Sequence, residues 1–395
     1  MYDFETLQDR RNIGAEKWAA LDASGQAGPD IIPFSIADME FMTAPPIVNA
    51  LREKAELSVY GYTMADDEYL SAVCSWCKTR HRWTVLPNET VQTAGVVAAI
   101  GIAIRAFTEK GDGILIQPPV YAPFHRLPRS NERTLIENPL VLKNGRYEMD
   151  FEDLERKAAL PNAKMMLLCS PHNPVGRVWT QEELLRVSEI CNRHHILVFS
   201  DEIHFDLVYP PHVHTVYATL SDAARNQCII GTAASKSFNL AGLATSNIII
   251  QNQELRRKFR AQTYLEAGKL NNYFGLAATR AAYETGALWL DELLSYLSEN
   301  QRHFARLLQR YFPRVTVFPL EGTYLLWADF QSFGLSPAQL EQFMIQDAAL
   351  YLDEGAVFGA QGNGFERFNL ACPRRYLTRA AERLDRAAEK RGLPR

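Results

Sequence analysis

Lys236 lies in Ala234-Ser-Lys-Ser-Phe-Asn239, just past an apolar run and among small residues. A lysine placed there can be desolvated, which lowers its pKa and frees the amine for Schiff-base chemistry with a carbonyl. An ordinary solvated loop lysine is the other reading. Asp201 closes an apolar run in Phe199-Ser-Asp-Glu-Ile-His204. A carboxylate there can keep a pyridinium nitrogen protonated so that the ring draws electrons, or it can cap a helix. If a helix starts at Asp201, His204 lies one turn on and can reach an oxygen of the same ring; a packed or surface histidine is the alternative. Asn173 sits in Ser170-Pro-His-Asn-Pro-Val-Gly176, where two prolines and a glycine fix a turn able to hold the amide against a ring or substrate oxygen. Ala94-Gly-Val-Val-Ala-Ala-Ile100 opens a helix with small residues. Its first N–H groups can bind phosphate, with Gly95 permitting close approach, although such starts also serve packing. Arg367, inside the apolar run Phe365-Glu-Arg-Phe-Asn-Leu370, either snorkels to the surface or grips a carboxylate with both arms.

These residues need a scaffold that brings them to one place. Five short runs, Gly113–Gln117, Lys164–Cys169, Ile196–Phe199, Cys228–Gly231 and Asn247–Ile250, are apolar on both faces, which suits buried parallel strands. Helical segments lie between them, including Thr180–His194 with the capping-box start Thr180-Gln-Glu-Glu183. Alternation of this kind predicts an α/β layer fold. In such sheets ligands sit beyond the carboxyl ends of the strands, and Tyr121, Asn173, Asp201, Ser235 and Lys236 all follow strand ends.

From about Thr285 the pattern changes. Leu288–Phe312 reads as one long amphipathic helix. Val315–Phe318, Thr323–Trp327 and Phe365–Leu370 read as strands, and Pro337–Leu350 and Tyr376–Arg391 as helices, with Gly392 as the stop of the last. The expected organisation is a large domain over residues 46–285 and a smaller α+β domain formed by 1–45 and 286–395, with the long helix between them.

A chain of 395 residues, 47% hydrophobic, is too long for one ordinary core. Its net charge of −4 with no Lys/Arg block argues against a nucleic-acid surface. Residues 1–17 lack the apolar centre of a signal peptide, and the apolar stretch Ala94–Ile104 is short of the ~20 residues a membrane span needs; a cytoplasmic location is expected. Cys74-Ser-Trp-Cys77 has no second CxxC, and the histidine pairs His194-His195 and His212-x-His214 lack fitting partners, so the expectation is free thiols and no metal.

Taken together, Ser170-Pro-His-Asn-Pro-Val-Gly176, Ser200-Asp-Glu-Ile-His204 and Ser235-Lys-Ser-Phe-Asn-Leu-Ala-Gly242 resemble the fold-type I pyridoxal 5'-phosphate (PLP) enzymes of the class I/II aminotransferase-like family. The resemblance covers almost the whole chain. Ile32-Pro-Phe-Ser-Ile-Ala-Asp-Met-Glu-Phe41, Tyr60-Gly-Tyr62 and Asn369-Leu-Ala-Cys-Pro-Arg374 narrow it to the cystathionine β-lyase (C–S lyase) branch.

The resemblance implies a three-layer large domain with a mainly parallel sheet, and a role for each residue. Lys236 would carry the cofactor, Asp201 would bind its pyridine nitrogen, and Asn173 and His204 would lie near its ring hydroxyl. Tyr121 would stack on the ring. Gly95, Val96, Val97 and Ser235 would hold the phosphate, joined by Tyr62 from the neighbouring subunit of a homodimer. Arg367, with Asn173, would bind the substrate carboxylate, and the segment Asp38–Phe41 would read the substrate side chain. Ala244 stands where many aminotransferases of this family place a phosphate-binding arginine, a departure that favours lyase over transferase. The implied reaction is β-elimination from cystathionine or a related cysteine S-conjugate, giving a thiol, pyruvate and ammonia. The alternatives are transamination, and a PLP-binding regulatory protein with weak residual activity.

Overall fold

The computed structural model describes residues 2–394, apart from 24, 26, 27, 29, 269 and 270. Its centre is a seven-stranded sheet in the spatial order Thr90–Thr93, Ser246–Ile249, Cys228–Thr232, Leu197–Asp201, Ala163–Cys169, Gly113–Ile116 and Thr134–Glu137. The last five run parallel. Consecutive side chains of these strands point to opposite faces, and both faces are apolar. Ile114, Ile116, Met165, Leu167 and Ile229 pack under the helix Val96–Phe107. Leu115, Met166, Leu168, Val198 and Ile230 pack on the other face with Leu184 and Val187 of the helix Gln181–Arg193. That helix starts with the expected capping box: Glu183 N–H donates to Thr180 Oγ1 (3.1 Å), and Thr180 N–H donates to Glu183 Oε2 (2.8 Å).

One expected parallel strand is antiparallel. Ser246–Ile249 runs opposite to both neighbours. Its residues are as buried as those of the parallel strands, so the apolar run reports burial and not direction. The connection before it, which carries Lys236, stays at one end of the sheet and never crosses back. A parallel partner needs a crossover of a dozen or more residues over the sheet face.

A second, antiparallel sheet orders Thr316–Val317, Leu325–Asp329, Phe365–Asn369 and Asp353–Glu354. The long helix spans Ala287–Tyr311, and the last helix, Arg374–Arg391, stops at Gly392 in the left-handed conformation. The helix expected over Pro337–Leu350 is shorter. It ends at Gln342 and passes into a π-helical turn, Phe343–Asp347, that buries Phe343, Met344 and Ile345 together. Ala349 then turns the chain (φ 53°) so that Leu350–Tyr351 pairs with Ile32–Pro33. That pairing, together with the bond from Asn369 N–H to Phe34 O, ties the N-terminal segment to the second sheet.

Candidate active site

The two sheets and the N-terminal segment enclose a cavity of about 830 Å³. Gly95, Val96, Val97, Tyr121, Asn173, Asp201, His204, Ser235, Lys236, Arg367 and Asp38 all line it. The sequence placed Tyr121, Asn173, Asp201, Ser235 and Lys236 at strand ends, and the fold brings them into one cavity with the helix start at Gly95, the strand residue Arg367 and the N-terminal Asp38.

Lys236 rides on a four-residue helix, Ala234–Ser237, directly after the strand Cys228–Thr232. Its Nζ is buried and donates to Ala37 O (2.6 Å). Burial pulls its pKa down to about 8, against the opposing pull of Asp38. Asp201 is not a helix cap. The strand runs on to include it, and residues 202–207 form turns in place of the helix considered for His204. Burial pushes the Asp201 carboxyl up to about 7, although the Ile203 N–H donates to its Oδ1 (3.2 Å). His204 is buried with no partner for Nδ1; burial first, then the charges of Lys236 and Arg367, hold its pKa well below the ordinary histidine value. Asn173 O accepts from Tyr121 N–H (3.1 Å), locking two wall residues together.

Arg367 does not snorkel: it is 3% exposed. Its Nη1 donates to Asn173 Oδ1 (2.8 Å), its Nη2 pairs with Asp353, and its Nε has no partner. Asp38 lines the cavity, but its two carboxylate oxygens are engaged by Arg10 (2.9 Å) and Lys17 (2.7 Å). Tyr62 stands apart, 97% exposed and outside the cavity of its own chain. The six cysteines are free, and His194 and His214 pair singly with Glu155 (2.7 Å) and Glu202 (2.8 Å).

Sequence reasoning missed three participants. Asp353 meets Arg367 only through cross-strand register. Arg10 lines the cavity from a charged N-terminal stretch with no pattern to single it out. Tyr324 donates to the same Ala37 O that Lys236 uses (2.8 Å).

The wall fits PLP. A buried carboxyl with one backbone donor suits a protonated ring nitrogen, which supplies the missing donor. His204, its Nδ1 without a protein partner, lines the same space. Gly95 holds a φ of 149° that favours glycine, and Gly95, Val96 and Val97, at the start of the helix Val96–Phe107, line the cavity with Ser235; the free backbone N–H groups of a helix start suit an anionic phosphate.

The comparisons agree with this geometry. The family model for class I and II aminotransferases matches residues 29–384, and the chain belongs to that family. Within it, the chain is similar to proteins of lyase type. It is 40% identical to cystathionine beta-lyase PatB of Bacillus subtilis (strain 168), over 94% of this chain and 95% of that one. Cystalysin from Treponema denticola, whose structure contains pyridoxal 5'-phosphate, superposes with a TM-score of 0.96 at 38% identity over 99% of both chains. A PLP-bound C–S lyase from Staphylococcus hominis gives 0.91 at 30% identity over 98% of each.

Proposed function

We infer that this chain is a PLP-dependent carbon–sulfur β-lyase that cleaves cystathionine or a related cysteine S-conjugate to a thiol, pyruvate and ammonia. The observation that carries the reading is the shared wall of Lys236, Asp201 and Arg367 in a chain similar to C–S lyases along almost its full length.

Lys236 would join the cofactor, Asp201 and His204 would meet its ring nitrogen and hydroxyl side, Tyr121 would lie on the ring face, and Gly95, Val96, Val97 and Ser235 would hold the phosphate. When bound, the cofactor supplies an electron sink for the pair left at the substrate Cα. The chain's residues do the rest. Arg367 and Asn173, already bonded to each other, receive the α-carboxylate. The amine of Lys236, its pKa brought down to about 8 by burial so that a neutral fraction exists near neutral pH, takes the Cα proton as a general base. Asp201 holds the ring proton in place. Asp38, its carboxylate saturated, shapes the wall facing the substrate side chain.

The reading extends to a homodimer in which Tyr62 reaches the partner's phosphate site. Supporting this, Leu57, Val59, Tyr60, Tyr62 and Met64 form an exposed apolar run. A cytoplasmic location fits six unpaired thiols, and no described helix is long and apolar enough to cross a membrane. A division into 46–285 and 1–45 with 286–395 follows the two separate sheets.

Incubation with L-cystathionine tests the function. Pyruvate should form without any added keto acid. An absolute requirement for a keto acid acceptor would replace the lyase reading with transamination.

A further inference from the structure

Behind the cavity wall lies a second polar cluster, sealed from solvent. The side chain of Asp206 is 0% exposed. Its Oδ1 accepts from Trp76 Nε1 (3.0 Å) and meets His81 Nε2 (2.7 Å), and its Oδ2 accepts from Ser237 Oγ (2.6 Å). The His81 ring is itself clamped, stacked on Phe205 at 3.9 Å and 12°. Trp76 stacks on Tyr283 at 5.0 Å and 15°.

Three elements distant in sequence supply this cluster. Trp76 and His81 come from the helix Asp67–His81, Asp206 from the turns after the Asp201 strand, and Ser237 from the helix that carries Lys236. A buried carboxylate with this many donors is costly to assemble, and apolar residues of equal volume often stabilise a core as well or better. Its effect here is geometric. The helix Ala234–Ser237 is one turn long, too short to hold its own orientation. Its direction depends on tethers from outside: Asn239 to the N-terminal segment (Nδ2 to Met39 O, 3.0 Å) on one flank, and Ser237 to Asp206 on the other.

We propose that Asp206, braced by His81 and Trp76, is a positioning residue that acts through Ser237 to aim the Lys236 amine. The proposal rests on Lys236 being the cofactor-linked lysine. It also links the two segments that bear Asp201 and Lys236, since Asp206 and Asp201 share one strand-end excursion.

Ser237→Ala removes only the link. In the holoenzyme, kcat should fall about tenfold or more, because misplacing a reacting group by about 1 Å costs up to ~100-fold. KM should stay within about twofold, since Arg367 and Asn173 are untouched. The visible circular dichroism of the bound cofactor, which reports how the ring is held, should weaken. His81→Phe should behave similarly, His81→Gln, which keeps an N–H donor, should recover, and the Ser237→Ala/His81→Phe double variant should be no worse than the poorer single. Unchanged kcat and dichroism in Ser237→Ala, or effects that multiply in the double variant, would overturn the proposal. If Ser237→Ala does not fold, the contrast between His81→Phe and His81→Gln decides alone, and equal kcat in the two overturns it. Activity retained in Lys236→Ala would overturn the functional reading instead.

Discussion

On the sheet side of the cavity, Asp201, His204 and Lys236 are buried with few protein partners: one backbone N–H for Asp201, none for His204 Nδ1, one carbonyl for Lys236. On the N-terminal side, Arg10, Lys17, Asp38 and Glu40 are packed against one another. Lys17 Nζ sits 2.7 Å from Asp38 and 2.6 Å from Glu40, and Arg10 bridges the same two carboxylates. Both walls carry buried polar groups, but on the N-terminal wall the cations and carboxylates pair with one another, with Arg10 Nε left over, whereas the sheet-side groups have few protein partners. An unsatisfied buried polar group costs on the order of 1–3 kcal/mol, so the sheet-side groups persist because something other than protein completes them. The N-terminal charges neutralise each other, and their role is to pin a segment that has little regular structure of its own. Substitutions on the first wall should therefore remove activity and spare stability, and substitutions on the second should do the reverse.

The sharpest break comes from Lys236→Ala. Loss of the amine should lower kcat/KM on the order of 10⁴-fold, while the thermal midpoint of the cofactor-free protein stays level or rises, because a buried amine has been removed. A large fall in that midpoint would erase the distinction between the walls. Asp201→Asn should come next, lowering kcat about 10²- to 10³-fold, as does the loss of other charge-stabilising groups. Its stability carries a sign that can be checked. The folded carboxyl titrates near 7, above its unfolded value, so ionisation costs the native state progressively more as pH rises from about 4 to 7. Cofactor-free Asp201→Asn should therefore gain urea resistance over the parent across that range and keep the gain above it. Arg367→Lys should be milder, about 10- to 100-fold in kcat/KM and mostly in KM, because one ammonium cannot replace a two-armed grip. An effect confined to kcat would move Arg367 from binding to chemistry.

The sheet-side wall was legible in the sequence, and the N-terminal wall was not. Asp201, Asn173 and Lys236 each follow an apolar run, and a strand end is a place that a run of residues announces. The strand direction of Ser246–Ile249 was hidden because hydrophobicity records burial on two faces and is blind to polarity of the chain. The partners of Asp38, Arg367 and Asp206 were hidden for another reason. His81 lies 125 residues from Asp206, and Asp353 meets Arg367 only through strand register. Charged residues such as Arg10 and Lys17 look like any solvated surface until the fold buries them; Lys17 ends 1% exposed.

Asp38→Asn tests the saturated wall, with the smallest expected effect on turnover. Burial raises the Asp38 pKa, but Lys17 and Arg10 outweigh it and hold the folded carboxyl below its ordinary range. A depressed folded pKa means that this residue's stabilisation is complete above the unfolded value near ~3.9 and is lost as pH falls through the folded one. At pH 7 the asparagine variant should be about 1–3 kcal/mol less stable, the cost of leaving Lys17 and Arg10 short of one charged partner. The gap should close in acid, where the parent's carboxyl also becomes neutral. kcat should change only modestly: Glu40 still holds both cations, and loss of the Asp38 charge removes one pull that raises the Lys236 pKa without displacing the amine. Chemical unfolding at pH 7 and pH 3 measures the gap directly. A gap of the same size at both would mean that the wall is held by shape and not by charge, and the contrast between the two sides of the cavity would fail.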